Sequence, residues 1–141
     1  MSKTASLSLL RLTVLILALV HLVVGVLGFF FMPENNQAGE NTVWIFSATG
    51  MLDLIRAATG VLGLIAVLRP PVIAVYSWFV FVAFAGLTGF GVLSAATTSA
   101  GDAVNLNWAD NVLHALTSLA ALVVAVAGVQ QASRASDAVR E

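Results

Sequence analysis

Two groups of residues in this chain have types and spacings that could do chemistry. The first lies in NWADNVLHALTS, residues 107–118, where Asn107, Asp110, Asn111, His114, Thr117 and Ser118 recur at intervals of three and four and so share one face of a helix. The second is Asp53 with Arg56, three positions apart and able to pair on one helical face. A carboxylate and a guanidinium beside an imidazole can hold an ion or polar solute, or exchange a proton. They can equally act as a structural clamp, because a buried ion pair fixes register without being strong evidence of stability. His21, alone on an apolar run, reads more simply as a buried hydrogen-bonding side chain than as a ligand. Metal and covalent chemistry have less to work with. There is no Cys, which removes thiolate ligands, disulfides and thiol redox chemistry. No H-E-x-x-H or comparable three-ligand cluster occurs, so neither a metal site nor a catalytic set is expected.

These polar groups are embedded in 141 residues that are 60% hydrophobic and 9% charged, with a mean hydropathy of +0.99. Ordinary soluble domains carry about 25% charged residues, and a soluble fold of this size cannot hide so much apolar surface. Four apolar runs, 9–31, 48–68, 71–93 and 108–128, each match the ~20 helical residues that a bilayer core requires. The expected fold is all-α, an antiparallel four-helix membrane bundle over residues 1–131 with a polar tail at 132–141. Lys3 and Arg11 stand at the start of the first run, but its apolar part is longer than the core of a secretory signal and no small-residue cleavage site follows. It is read as a retained span. A net charge of −1 and a pI near 6.0 leave no basic footprint for nucleic acid.

Alternating spans gather Lys3, Arg11, Arg69, Arg134 and Arg140 on one side, while the connections 32–47 and 94–107 contain no Lys or Arg. The positive-inside bias then predicts cytoplasmic N- and C-termini. Trp44 and Trp108 fall where the outer aromatic belt is expected, and Tyr76 and Trp78 near the inner one. LRPPV at 68–72 predicts a tight cytoplasmic turn, because a residue before Pro avoids the helical region and Pro is accommodated in a first helical turn. Spans two and three are expected to form an antiparallel hairpin, and residues 43–47 a short outer cap along the interface.

Counting about 1.5 Å per residue from the outer ends puts Asp53 about 8 Å, His114 about 9 Å, Arg56 about 12 Å and His21 about 15 Å deep. The matching depths predict that spans two and four face each other, with Asp53, Arg56, Asp110, Asn111 and His114 in one hydrogen-bonded cluster. Thr49, Gly60 and Gly63 extend the face of Asp53 and Arg56 with small residues that admit a neighbour. The polar stripe must point inward, since unpaired polar groups in hydrocarbon are costly. It continues as Ala121, Ala125 and Gly128, while Leu113, Leu116, Val123 and Val124 are expected to meet lipid. Ala83, Ala85, Gly86, Gly89 and Gly91 make span three a smooth packing surface. Asn107 as N-cap, with Asp110 at the third helical position, gives that acid a structural reason to be there. The offset in depth of about 6 Å between His21 and His114 is poor for axial ligation of one haem, and no cofactor is expected.

The segment WADNVLHALTSLAALVVAVAG resembles the D-N-x-L-H signature, here Asp110, Asn111, Leu113 and His114, in the last span of an uncharacterised four-helix membrane family, a domain of unknown function common in actinobacteria. RLTVLILALVHLVVGVLGFFFMP is similar to that family's first span with its G-x-x-G-F ending, and ATGVLGLIA at 58–66 to its second. The likeness covers most of the chain and implies a four-span protein of the bacterial plasma membrane. It departs at span two, where Arg56 stands in place of an expected His and Asp53 near an expected Asn, so that two neutral partners become a charged pair. The family brings no established activity. Short loops and the missing catalytic set lead to the expectation of a non-enzymatic accessory or structural subunit, associated with itself or with a larger membrane complex. The alternative is an oligomeric transporter or pore for an ion or small solute that uses the same five residues, with His21, Thr117 and Ser118 in a secondary role.

Overall fold

Each apolar run is helical in the computed structural model, which describes residues 3–30, 42–97 and 106–140. The helices are α1 (Lys3–Phe30), α2 (Gly50–Leu68), α3 (Ile73–Thr97) and α4 (Trp108–Arg140). Within them Leu9–Phe30, Gly50–Leu68, Pro70–Thr97 and Trp108–Arg134 are long and apolar enough to cross a membrane, as in a multi-pass membrane protein. One element departs from the all-helical expectation. The segment read as an interfacial cap is a small antiparallel hairpin of β1 (Thr42–Val43) and β2 (Phe46–Ser47), with Thr42 opposite Ser47 and Val43 opposite Phe46. The β-branched and aromatic run Thr42–Phe46 favours that extended form. Its two-residue turn requires positive φ, which Trp44 adopts at 57°. Most of the two longer connections lies outside the described residues.

The ends of the elements follow local chemistry. Arg69, preceding Pro70, is held extended at φ −127° and ψ 83°, out of the helical region that proline denies its predecessor. α2 therefore stops at Leu68, a 3-10 turn at Pro70–Val72 reverses the chain, and the Val72 N–H donates to the Arg69 carbonyl at 2.9 Å. At the other end of the bundle, the Asp110 N–H donates to Asn107 Oδ1 and the Asn107 N–H to Asp110 Oδ2, both at 3.0 Å. This reciprocal capping box starts α4. The polar tail does not leave the helix, which runs on to Arg140.

The helices pack as two antiparallel pairs, α1 on α2 and α3 on α4. Two expectations are thereby corrected. α2 and α3, though consecutive, touch only lightly, and among the described residues α2 shares no extended seam with α4. The reason is which partner the small residues admit. A Cβ added at Gly60 would stand 2.6 Å from the Leu22 backbone nitrogen, and one at Gly63 2.7 Å from the Ala18 Cβ. A Cβ at Gly25 would reach the Ala57 nitrogen at 2.5 Å. The small face of α2 is thus filled by α1, whose backbone comes close enough to need glycine on both sides.

Three further faces turn out differently from their expectation. Val124 is buried with Ala121 and Ala125, because it lies seven positions after Thr117 and shares the inward stripe. Leu116 and Val123 are exposed, as expected of lipid-facing positions. Gly86 and Gly89 border open space, so of the span-three glycines only Gly91 packs against a neighbour. Tyr76 is buried and donates its hydroxyl to the Thr59 carbonyl at 2.9 Å. Leu10, Val14, Ala66, Ile73, Tyr76, Val80, Phe84 and Val124 form the apolar core at the end away from the hairpin. The hairpin end holds the buried charges, Asp53, Arg56 and Asp110.

Candidate functional site

Arg56 spans the gap that separates the two helix pairs. It is fully buried, and its guanidinium reaches partners on three elements. Nη1 donates to the Ser47 carbonyl of β2 at 2.7 Å and to Asp53 Oδ1 on α2 at 3.4 Å, while Nη2 donates to Asp110 Oδ1 at the start of α4. The planar fork of arginine carries several donors in fixed directions and suits such a bridge. The Arg56 Cζ also lies 6.0 Å from the centroid of the Phe46 ring, at the outer reach of a cation–π contact.

Asp110 uses both carboxylate oxygens. Oδ1 accepts from Arg56, and Oδ2 accepts from the backbone N–H groups of Asn107 and Ser47, the latter at 3.2 Å. Asp53 is different. Its Oδ1 accepts from Arg56, but its Oδ2 is buried with no hydrogen-bond partner among the described residues. The carboxylate lies against Gly28 of α1, where a Cβ would overlap it. Gly28 therefore makes the space into which Asp53 fits.

The structure brings together only part of the expected cluster. Asp53, Arg56 and Asp110 are joined by ion pairs, whereas Asn111 and His114, also buried, make no side-chain hydrogen bonds to described residues. Asn111 turns toward α3, with Oδ1 in the space where a Cβ of Gly91 would sit. His114 stands edge-on to the Phe84 ring with centroids 5.1 Å apart, and His21 approaches the same ring at 4.8 Å. His21 Nδ1 donates to the Leu17 carbonyl at 2.9 Å, which leaves Nε2 to accept from Thr117 Oγ1 at 3.4 Å, the only tautomer a carbonyl partner allows for a neutral ring. Ser118 donates to the Phe81 carbonyl at 3.1 Å and so belongs to the α3–α4 seam.

Several participants were not expected from the sequence. They are the Ser47 backbone, which supplies one donor and one acceptor, Gly28, and the Asn107 amide, which donates to the Ile45 carbonyl at 2.9 Å. The β-prone run at 42–46 was the available signal, but a backbone group carries no residue type that marks it as a partner. Chemically, the site contains two carboxylates sharing one guanidinium and, about one turn on along α4 from Asp110, an imidazole whose nitrogens have no partner among the described residues. Among the described residues no group of three or more His, Asp or Glu is placed to hold a metal ion.

Neither curated proteins nor solved structures provide a match to this chain. Residues 11–127 match the family described as Domain of unknown function (DUF4383). That interval contains α2, α3, the charged cluster and both histidines, and on this match the chain belongs to that family.

Proposed function

We propose that this chain is a non-enzymatic accessory or structural subunit of a bacterial plasma-membrane assembly, with both termini cytoplasmic and the charged cluster in the outer half of the bundle. What carries the reading is the direction of Arg56's bonds. A fully buried guanidinium spends its Nη donors on Ser47, Asp53 and Asp110 of its own chain, and thereby ties the α1–α2 pair to the α3–α4 pair. The outward surface is apolar on all four helices, with Leu12, Leu54, Phe79 and Leu116 each more than half exposed. Such a surface suits lipid or neighbouring helices and offers no reacting group to a soluble substrate. The test is native mass spectrometry of the full chain released from its own membranes in mild detergent. Homo-oligomers, or a fixed stoichiometry with a larger membrane protein, are the expected result.

A second reading, an oligomeric transporter or pore for an ion or small solute, is favoured by one observation. Asp53 Oδ2, the Asn111 amide and both His114 ring nitrogens are buried without partners among the described residues, as binding groups would be. Solute flux in vesicles reconstituted with the purified chain, abolished by Asp53→Asn, replaces the first reading with this one. A monomer that carries no flux and copurifies with no protein overturns both.

A further inference from the structure

We propose that the Asp53 carboxyl is an internal proton-binding site, which holds one exchangeable proton per chain at the hairpin end of the bundle. The argument begins with charge. Asp53 and Asp110 are both fully buried, and Arg56 is the cation paired with them, so the ionised trio keeps one uncompensated negative charge. Within a membrane-spanning bundle such a charge is costly. A cation taken up from solution removes it. Among the described residues, no ion pair brings a second basic side chain to the trio.

The hydrogen bonds say where the proton goes. Both oxygens of Asp110 are occupied by N–H donors, from Arg56, Asn107 and Ser47. Asp53 Oδ2 meets no donor among the described residues. An added proton there forms an O–H bond, neutralises the trio and breaks none of the ion-pair contacts of Oδ1. His114, four positions after Asp110 on the same α4 face, is fully buried with no carboxylate paired to it among the described residues, so an imidazolium there would add an unpaired charge beside Arg56 instead of removing one. His21 is excluded from the role because both of its nitrogens are engaged, with Leu17 and Thr117. The remaining group facing this region from α3 is the uncharged Phe84 ring, and Tyr76 is committed to the Thr59 carbonyl.

The same inventory argues against a hard metal cation. Such ions take about six or more oxygen ligands, whereas the buried side-chain oxygens without partners among the described residues are Thr49 Oγ1, Asp53 Oδ2, Ser77 Oγ and Asn111 Oδ1, of which only Asp53 belongs to a carboxylate. This inference does not depend on whether the chain is an accessory subunit or a transporter.

The test uses the full chain in lipid nanodiscs, titrated between about pH 4 and 9, with infrared difference spectra of the carboxyl groups and 15N spectra of labelled histidine rings. A protonated-carboxyl band that appears with falling pH and is missing in Asp53→Asn is the expected result. Neutral imidazole signals from both histidines across the carboxyl transition are the expected companion result. Should Asp53→Asn not fold, 13C-labelled aspartate in the unmodified chain reads the same carboxyl directly. Asp53 ionised at every pH overturns the proposal, whether or not a histidine titrates. So does a carboxyl signal that responds to sodium at fixed pH, which assigns the site to an alkali cation.

Discussion

Replacing Arg56 by Met keeps an unbranched side chain of similar length but removes the donors that reach Ser47, Asp53 and Asp110. Hydrogen bonds to charged groups contribute about 1.5–3 kcal/mol each, so three would sum to about 4.5–9 kcal/mol if they were independent, a large part of the roughly 5–15 kcal/mol that holds a domain folded. They are not, because the guanidinium surrenders its own hydration to make them. Removal of one partner from a buried ion pair costs about 3–5 kcal/mol, and that is the expected loss for Arg56→Met. It corresponds to between two and four powers of ten in the unfolding equilibrium, at about 1.4 kcal/mol per tenfold change. Arg11, on the exposed face of α1, serves as the control, and Arg11→Met is expected to stay within about 0.5 kcal/mol. Most of the loss in Arg56→Met is the stranding of two carboxylates, so the triple variant Asp53→Asn, Arg56→Met, Asp110→Asn is expected to recover a large part of it. Asn at 110 retains an acceptor for the capping box. Equilibrium unfolding of the full chain in mixed micelles by a denaturing detergent measures all three. Equal unfolding of Arg56→Met and Arg11→Met, or a triple variant weaker than Arg56→Met, would refute the reasoning that the buried charges hold the two helix pairs together.

Two other outcomes follow from packing and from charge placement. Gly28→Ala drives a methyl group into the Asp53 carboxylate, whereas Gly86→Ala meets nothing within 4 Å. The first is expected to destabilise by about 1–3 kcal/mol through overpacking, and the second to be neutral or to gain up to about 1 kcal/mol from helix propensity, both read in the same unfolding assay. For orientation, the chain has no Cys, so single cysteines placed at Trp44 and at Ser136, both exposed, are clean reporters. In intact cells a membrane-impermeant maleimide is expected to label the cysteine at 44 and to reach the one at 136 only after lysis. The reverse pattern would overturn the cytoplasmic termini inferred from the arginines.

What a linear sequence can and cannot carry is visible in Arg56 itself. Its helix, its depth and its pairing with Asp53 follow from hydropathy, helical rise and a spacing of three, because these depend only on the chain's own neighbours. The capping of α4 by Asn107 and Asp110 was legible for the same reason. Which helix α2 would lie against was not. Glycines at 60 and 63 announce that some backbone comes close, but α1 and α4 both present residues that could come close, and the choice of α1 rests on Gly25 and Gly28 meeting Asp53 and Ala57 at matching levels, a two-helix coincidence that no single run displays. Arg56 then reaches α4 although the two helices share no extended seam, since its side chain is long enough to span a diagonal that alanine or aspartate could not. Depth matching between Asp53, Arg56 and His114 therefore pointed to the right end of the bundle while implying the wrong interface and including a histidine that the ion pairs leave out. The hairpin at 42–47 was hidden for a related reason. Its contribution is made by the Ser47 N–H and carbonyl, groups that every residue but proline possesses, so their role is set by where the strand ends and not by what serine is. A buried cluster closed by backbone atoms is accordingly expected to tolerate Ser47→Ala while failing on Arg56→Met, and the contrast separates the part of this site written in side chains from the part written in geometry.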